Sequence, residues 1–491
     1  MPQRAHALIE LPVLASFIIE MTRSIKANGS NASKACDVMV VGGGNAGLCA
    51  AITARELGAS VVLLEQAPKH SRGGNSRHAR NLRVSHAISS DYLRGVYSAE
   101  EYWDDIARVA GENTDKDLAR VMIAESVDVT TWMERRGVCF QRSRDTAARS
   151  RKTAYLLGGG KALLNAYYLT AERLGVDIRY DSEVLSLGFD DGMARDATVV
   201  TDGVPAQLRA KAVVVASGGI AANIDWLRQY WGEAANHCLI RGTAYADGHI
   251  LKELLDRGAA PVGDPAQCHM VAVDARAPKF DGGIVTRLDG LPFGIVVDRN
   301  GRRFHDEGEN VGRERYAIWG SLVLRCPGQI AYAIFDSKVD TLFRPSLYPP
   351  IQAPTVAELA VKLTLDSRTM AATVSRFNDA VRDASNGGKN GYGRTEGITP
   401  PKTRGALLID TPPFGGFPVR PGITFSYFGV RVDQRARVLM ANDRPSANVF
   451  AAGLSMAANI LGRGYLAGMG MTIGTTFGRT AGREAAQYVL Q

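Results

Sequence analysis

Three glycines and one carboxylate give this sequence its first piece of chemistry. Gly42, Gly44 and Gly47 stand in G-x-G-x-x-G spacing, and Glu65 follows about 20 residues on. Residues of these types, so spaced, hold a dinucleotide. Gly42 permits a tight turn, Gly44 lets backbone approach a pyrophosphate, and Gly47 lets a helix pack on a strand. The Glu65 carboxylate is the acceptor for a ribose hydroxyl. The elements that must position these groups are legible around them. Asp37 to Val41 is an apolar run suited to a buried parallel strand. Leu48 to Leu57 reads as a helix with its N-terminal amides toward the phosphates, Gly58 ends it, and Ser60 to Leu64 is a second buried strand closing on Glu65. An ordinary glycine-rich turn would leave this order of strand, glycines, helix, strand and acid unexplained.

Composition narrows the class. A chain of 491 residues has room for two or more cores, and 45% hydrophobic with 22% charged residues is ordinary for a globular protein. The 58 basic and 50 acidic residues leave +8 without a basic run. That argues against nucleic acid as a partner and for a locally basic pocket that takes an anionic substrate. Cys36, Cys49, Cys139, Cys238, Cys268 and Cys326 are scattered with no CxxC. Neither an iron-sulfur cluster nor any other metal site is expected, and a reducing cytoplasm fits. Ala7 to Met21 is fairly apolar, but Glu10, Pro12 and Glu20 interrupt it. It is too short and too charged to span a bilayer, and it lacks the clean apolar core of a signal peptide. Residues 1–34 are therefore expected to be a disordered extension or an artefact of start-site choice, with Met21 as an alternative start.

Further along, Gly73-Gly74-Asn75-Ser76 forms a donor-rich loop able to wrap a flavin's phosphates or ring edge. Apolar residues at helical spacing predict helices over Glu100–Ala110 and Asp115–Arg136, with Gly137 as the stop. Gly158-Gly159-Gly160 leads to a helix at Ala162–Leu174, followed by a strand at Asp177–Tyr180. The apolar strand Lys211–Ala216 ends in Ser217-Gly218-Gly219, which suits backbone crossing close to a cofactor. From about residue 265 to 422 the chain is richer in Pro, Arg and aromatics. A helical stretch there, Val356–Ala384, precedes a loop at Ser385–Gly393. The expected organisation is an α/β, Rossmann-like dinucleotide-binding domain, 35–264 and 423–491, with a capping domain, 265–422, inserted. Asn448 to Gly453 is a strand meeting glycine, and Gly462–Gly468 leads into a small-residue helix running to Gln491.

Together these segments resemble the flavoprotein family of fumarate reductases and succinate dehydrogenases. The resemblance is carried by the Gly42–Gly47 fingerprint, Glu65, Gly73-Gly74-Asn75-Ser76, Ala216-Ser217-Gly218-Gly219, Gln267-Cys268-His269 and Ala451-Ala452-Gly453. Within the family, Arg72–His78, Gly158–Leu163, Gly282–Arg287, Arg315–Gly320 and Gly462–Gly468 look closest to the FAD-dependent tricarballylate dehydrogenases. A related flavoprotein of aerobic cobalamin synthesis shares much of the pattern. The resemblance implies an FAD domain with an inserted α+β cap and an active site in the crevice between them. It also implies trans removal of two hydrogens from a CH–CH flanked by carboxylates, with FAD as the redox group. Cofactor contacts are expected at Gly42, Gly44, Asn45, Ala46, Gly47, Glu65, Gly73, Gly74, Asn75, Ser76, Ser217, Gly218 and Gly453. Family members with covalent flavin use a histidine where this chain has Asn75, so FAD is expected without a covalent bond.

The resemblance also proposes the chemistry-bearing side chains. His269 aligns with a histidine that binds a substrate carboxylate, although the Pro and Thr of the family's Q-x-H-P-T motif are absent. Thr286 aligns with a threonine that hydrogen-bonds substrate. The catalytic arginine falls at Arg313 or Arg315, and Arg315 fits better because Tyr316-Ala317-Ile318-Trp319 then matches the following helix start. Arg463 is placed to pair with a carboxylate, which a planar guanidinium does well. The Glu and Arg of the family's proton relay read here as Arg287 and Gly290, and the usual second substrate histidine aligns with Phe425. Arg287 adds positive charge that would suit a third carboxylate. The expectation is oxidation of tricarballylate to cis-aconitate, with electrons passing to a membrane-bound iron-sulfur protein. Two readings stay open beside it: a flavoenzyme for a steroid-like or tetrapyrrole substrate, and a flavin-binding subunit that has lost catalysis.

Overall fold

Two β-sheets organise the chain; one apolar core packs on the first and runs on into Cys268, Met270, Ile423, Phe425 and Tyr427 of the second, which also has smaller cores of its own. The computed structural model describes residues 35–110, 114–190, 192–309, 315–343, 346–383 and 393–491. The expected N-terminal extension and the loop at 385–392 lie outside the described residues.

The first sheet runs in the order Arg437–Leu439, Pro445–Ala451, Val204–Val215, Cys36–Val41, Val61–Leu64, Asp177–Arg179. All its neighbours are parallel except the first pair. Val38, Met39 and Val40 are fully buried, as a strand covered on both faces requires. An antiparallel hairpin, Ser182–Asp190 with Met193–Thr201, extends the sheet at the start of Val204–Val215. The strand entered first, Cys36–Val41, ends up between Val61–Leu64 and Val204–Val215. Sheets of this kind bind ligands in the crevice at the carboxyl ends of strands where the order reverses.

Two helices close one face of that crevice, Asn45–Glu56 and Met469–Leu490. The second carries glycines four residues apart at 470, 474, 478 and 482, which puts them on one face. A Cβ at Gly478 would lie 2.4 Å from the Ala46 carbonyl oxygen, and one at Gly482 would lie 2.3 Å from that of Ala50. The small-residue helix read from the sequence is thus a surface that lets two backbones touch.

The second sheet is antiparallel in the order Pro261–Asp274, Phe414–Val430, Ala331–Asp336, Ile295–Asp298, with Ile351–Ala353 also antiparallel to Phe414–Val430 and the short strand Leu239–Ile240 parallel to it. The domain limits read at 264/265 and 422/423 both fall inside strands of this sheet. Phe414–Val430 is one strand of 17 residues that runs through Pro418, Pro421 and Gly422, all of which read as breakers in sequence. Its pairing with Pro261–Asp274 shifts register between His269 and Met270, so a bulge sits where His269 faces Phe425.

Two helices expected to be continuous are broken. Asp115–Arg136 divides into Lys116–Glu125, the 3-10 turn Ser126–Asp128 and Val129–Glu134. The Ser126 hydroxyl donates back to the Ile123 carbonyl at 2.7 Å and accepts from the Ser85 amide at 3.0 Å. Val356–Ala384 divides into Val356–Lys362 and Ser367–Ala380, because Asp366 caps a new helix by accepting from the Thr369 amide. Among the described residues no helix is long and apolar enough to cross a membrane, and no group of His, Cys, Asp and Glu could hold a metal.

Substituting Gly478→Ala forces the two helices apart at their closest approach. It should cost about 1–3 kcal/mol, the usual penalty of overpacking. The thermal midpoint of the purified protein should fall measurably, whereas Ala481→Gly on the same helix should not reproduce a steric effect.

Candidate active site

The first cavity, of about 970 Å³, opens at the carboxyl ends of the parallel strands. Gly42, Gly44, Asn45, Ala46, Glu65, Gly74, Asn75, Ser76, Ser217, Gly218 and Gly453 all line it. Gly42 turns there at φ +102°, in the left-handed region. Gly47 and Gly73 stand behind the wall. A Cβ at Gly47 would sit 1.8 Å from the Gly42 carbonyl oxygen, so this glycine serves the turn rather than the ligand. Gly73 donates its amide to Glu65 Oε2 at 3.0 Å.

Glu65 is 5% exposed. Oε1 accepts from the Ala67 amide at 3.0 Å, and Tyr168 donates to Oε2 at 3.4 Å and to the Gly43 carbonyl at 2.8 Å. Burial pushes this carboxyl above its ordinary range, against the pull of those hydrogen bonds. Tyr168 was not visible as a site residue, since it reads as one apolar position of a helix.

The residues present fit a dinucleotide cofactor. Gly44 caps the helix Asn45–Glu56 without a side chain, which leaves first-turn amides for an anionic ligand, and Asn45 donates its amide to Ser76 Oγ at 3.1 Å. The Ser217 hydroxyl is buried on the cavity wall with no hydrogen-bond partner among the described residues. Gly74 keeps open space where a side chain would intrude.

A second cavity, of about 860 Å³, adjoins the first, and Asn75, Ser76, Leu454, Gly470 and Met471 line both. Asn75 stands at the junction of the two cavities. Its Nδ2 donates to the Thr424 carbonyl at 2.9 Å and its Oδ1 accepts from the Thr243 amide at 2.9 Å. The helix Met469–Leu490 also begins at this junction, with Gly468 as an uncapped start.

His269 lines the second cavity at 3% exposure and stacks on Tyr465 with ring centroids 4.4 Å apart. Burial, then the charges of Arg241 and Arg287, hold its imidazole well below the usual pKa. It is neutral at pH 7 and has one N–H to donate. Arg287 lines the cavity too, paired with Asp289 at 2.5 Å and lying over the Tyr316 ring at 4.3 Å. Burial pushes the Tyr316 hydroxyl up to about 12. Phe425 forms part of the same wall.

Thr286 and Arg463 do not line this wall. Thr286 is buried, but its hydroxyl donates to the Gly282 carbonyl at 3.1 Å, closing a turn from which Ile284 and Arg287 reach the cavity instead. Arg463 is exposed and lines neither cavity. Gly464 dips against Val109, where a Cβ would sit 2.2 Å from the carbonyl oxygen, and this brings Tyr465 inward while Arg463 faces out. Arg313 lies outside the described residues. Arg315 opens the turn Arg315–Ala317 directly before Tyr316, and its side chain lies outside the described part.

Three wall residues were missed in the sequence. Arg241 sits in an otherwise apolar stretch, and its only signal was a lone cation after Leu239-Ile240. Asn81 is buried, and its amide nitrogen has no partner among the described residues. Tyr465 stands within the glycine-rich run 462–468 and gives no signal of its own there.

Comparison with known proteins places this geometry. The family described as FAD binding domain matches residues 37–471. An NADH:fumarate oxidoreductase of Klebsiella pneumoniae is 26% identical over 461 residues, covering 90% of this chain and 47% of that protein. The chain thus spans about half the length of that relative. A probable fumarate reductase, Ifc3, of Shewanella frigidimarina is 26% identical over 87% of this chain and 71% of that protein. A 3-oxosteroid 1-dehydrogenase of Mycobacterium tuberculosis is 26% identical over 65% of this chain and 61% of its own length. Among solved structures, the open conformation of a flavocytochrome c3 fumarate reductase superposes with a TM-score of 0.77 at 23% identity, covering 96% of this chain and 81% of that one.

The buried neutral His269 has a consequence for stability. Unfolded, its imidazole takes up a proton below about pH 6.5, whereas folded it does not, so it lowers stability as pH falls through that value. Replacing it by glutamine should remove up to about 1.4 kcal/mol per pH unit from the acid slope. Thermal midpoints of wild type and His269→Gln between pH 5 and 7 should converge as the pH is lowered.

Proposed function

The chain belongs to the FAD binding domain family, and on that premise we propose that it dehydrogenates a CH–CH bond of a polycarboxylate, with tricarballylate to cis-aconitate as the specific reaction. FAD is its cofactor, and when bound it supplies the acceptor for a hydride equivalent. The observation that carries the reading is the wall of the second cavity. It presents the guanidiniums of Arg241 and Arg287 and the imidazole of His269, and no carboxylate is among its lining residues. Such a wall binds acceptor-rich anions, and the cavity opens on the dinucleotide cradle through Asn75 and Met471.

Each residue then has a task. Arg241 and Arg287 neutralise carboxylates and hold the carbon skeleton still. The neutral His269 donates its N–H to a carboxylate oxygen. Arg315, one residue before the cavity-lining Tyr316, is the base that takes a proton from one carbon while a hydride equivalent leaves the next. The two carbons are left joined by a double bond. FAD is held without a covalent bond, since Asn75 stands where covalent members of the family carry a histidine and a carboxamide is not a nucleophile. A separate membrane-bound iron-sulfur protein takes the electrons onward.

A steroid-like or tetrapyrrole substrate is the second reading. The aromatic cluster of His269, Tyr316, Phe425 and Tyr465 favours it, and the buried arginines weigh against it.

Anaerobic addition of tricarballylate should bleach the flavin band of the purified protein, and succinate should do so much less. Bleaching by no di- or tricarboxylate would remove this substrate class. Arg315→Lys should keep its flavin and lose roughly 10²–10⁴-fold in turnover, the range a positioned proton-transfer group contributes. Turnover within threefold of wild type would move the base elsewhere.

A further inference from the structure

Among the described residues, Arg83 and Arg241 are buried over the whole residue and the side chains of Arg287 and Arg303 are less than a tenth exposed, and their surroundings differ. Arg83 pairs with Asp105 at 3.1 Å. Arg241, 6% exposed, has no carboxylate partner among the described residues. Its contacts are neutral oxygens: Nε donates to the Gly283 carbonyl at 3.0 Å, and one terminal nitrogen donates to the Thr424 hydroxyl at 2.8 Å. A guanidinium has five N–H donors, so most of its hydrogen-bonding capacity is left over, on a side chain that lines the second cavity.

Neutral oxygens satisfy donors but do not offset a buried charge, and a buried ion without a counter-ion is costly. Burial, then the nearby charge of Arg287, depresses Arg241 to about 10 against the weaker pull of Asp289, so it remains charged at neutral pH in surroundings that on balance oppose the charge. Arg287 differs, because Asp289 already balances it. The backbone fixes Arg241 firmly. Its amide donates to the Ile423 carbonyl at 2.8 Å, and its carbonyl accepts from the Gly283 amide at 3.0 Å. A preorganised, uncompensated cation at a cavity wall is arranged for an anion that comes and goes.

We propose that Arg241 is the specificity-determining anchor of the substrate, its guanidinium forming a bidentate ion pair with one carboxylate that supplies the counter-ion the fold withholds. For the rest of the ligand this rests on the polycarboxylate reading above. The anchor itself requires only a carboxylate or an anion like it.

The test uses FAD-loaded protein and follows perturbation of the oxidised flavin spectrum. The probes are cis-aconitate, which has no hydrogens to give in this reaction, and acetate and sulfate. Arg241→Gln should raise the Kd for cis-aconitate roughly 30-fold or more, with flavin content unchanged. Arg241→Lys keeps a point charge without the fork and should raise it about tenfold. It decides the matter if the glutamine variant does not retain flavin. A Kd within threefold of wild type in a flavin-retaining variant overturns the proposal, since a merely structural arginine would give that result. Should wild type bind acetate or sulfate in an Arg241-dependent way but not cis-aconitate, the anchor stands and the polycarboxylate reading falls. Should wild type bind none of the three, both fall.

Discussion

Contact between backbones, with no side chain between them, is the constraint on which this fold depends. The turn after the first strand closes only because Gly47 brings nothing against the Gly42 carbonyl, and the helix Met469–Leu490 lies on Asn45–Glu56 only through Gly478 and Gly482. These approaches bring two uncapped helix starts, at Gly44 and Gly468, to one crevice. An uncapped start presents amides and partial positive charge. The close packing therefore does electrostatic work, making a place where negatively charged groups would be favoured.

Burial decides the character of the second cavity. In a low-dielectric wall an imidazole sheds its proton and a guanidinium keeps its charge against resistance. His269 and Arg241 show the two outcomes within one cavity, and the Arg287–Asp289 pair shows a third, a cation already balanced. The mixture gives a wall that recognises acceptors while carrying less net charge than its count of basic residues suggests. Asn75 ties this wall to the cradle, because it bonds to Thr424 and Thr243 beside Arg241 and lines both cavities. An anion bound at Arg241 and a cofactor bound at the cradle would thus share one partition.

The parts of this arrangement that were legible in sequence are those governed by local rules. Glycine spacing, apolar strands and a terminal acid are short-range signals, and the dinucleotide cradle and the parallel sheet follow from them, whereas FAD follows from the family resemblance. Gly47 keeps the packing role its spacing gives it and, like Gly73, stands behind the wall, because at both positions the chain's own atoms exclude a side chain. The cavity wall was less legible. Thr286 rests on alignment and Arg463 on the fit of a guanidinium to a carboxylate, yet a turn closed on Gly282 and a dip at Gly464 point other residues inward. Arg241, Asn81 and Tyr465 come from segments about 160 to 380 residues apart (241 − 81 = 160; 465 − 81 = 384), and no local pattern shows that they share a wall. Breaks at Ser126 and Asp366 were hidden for a related reason, since each depends on one side chain choosing a backbone partner over the helix.

The strand order has a consequence for how the protein is made. Val213-Val214-Val215 pairs on one side with Cys36–Val41, which is synthesised before it, and on the other with Val449-Phe450-Ala451, which comes 234 residues later (449 − 215). At ribosomal speeds of about 5–20 residues per second, that edge waits roughly 12–47 s for its partner. During this time it is a valine-rich, unpaired strand of the kind that recruits other chains. The long stretch translated meanwhile builds the second sheet, whose own long strand, Phe414–Val430, also arrives late. Yield in a cell should therefore depend on chaperone supply during synthesis as much as on the stability of the finished fold.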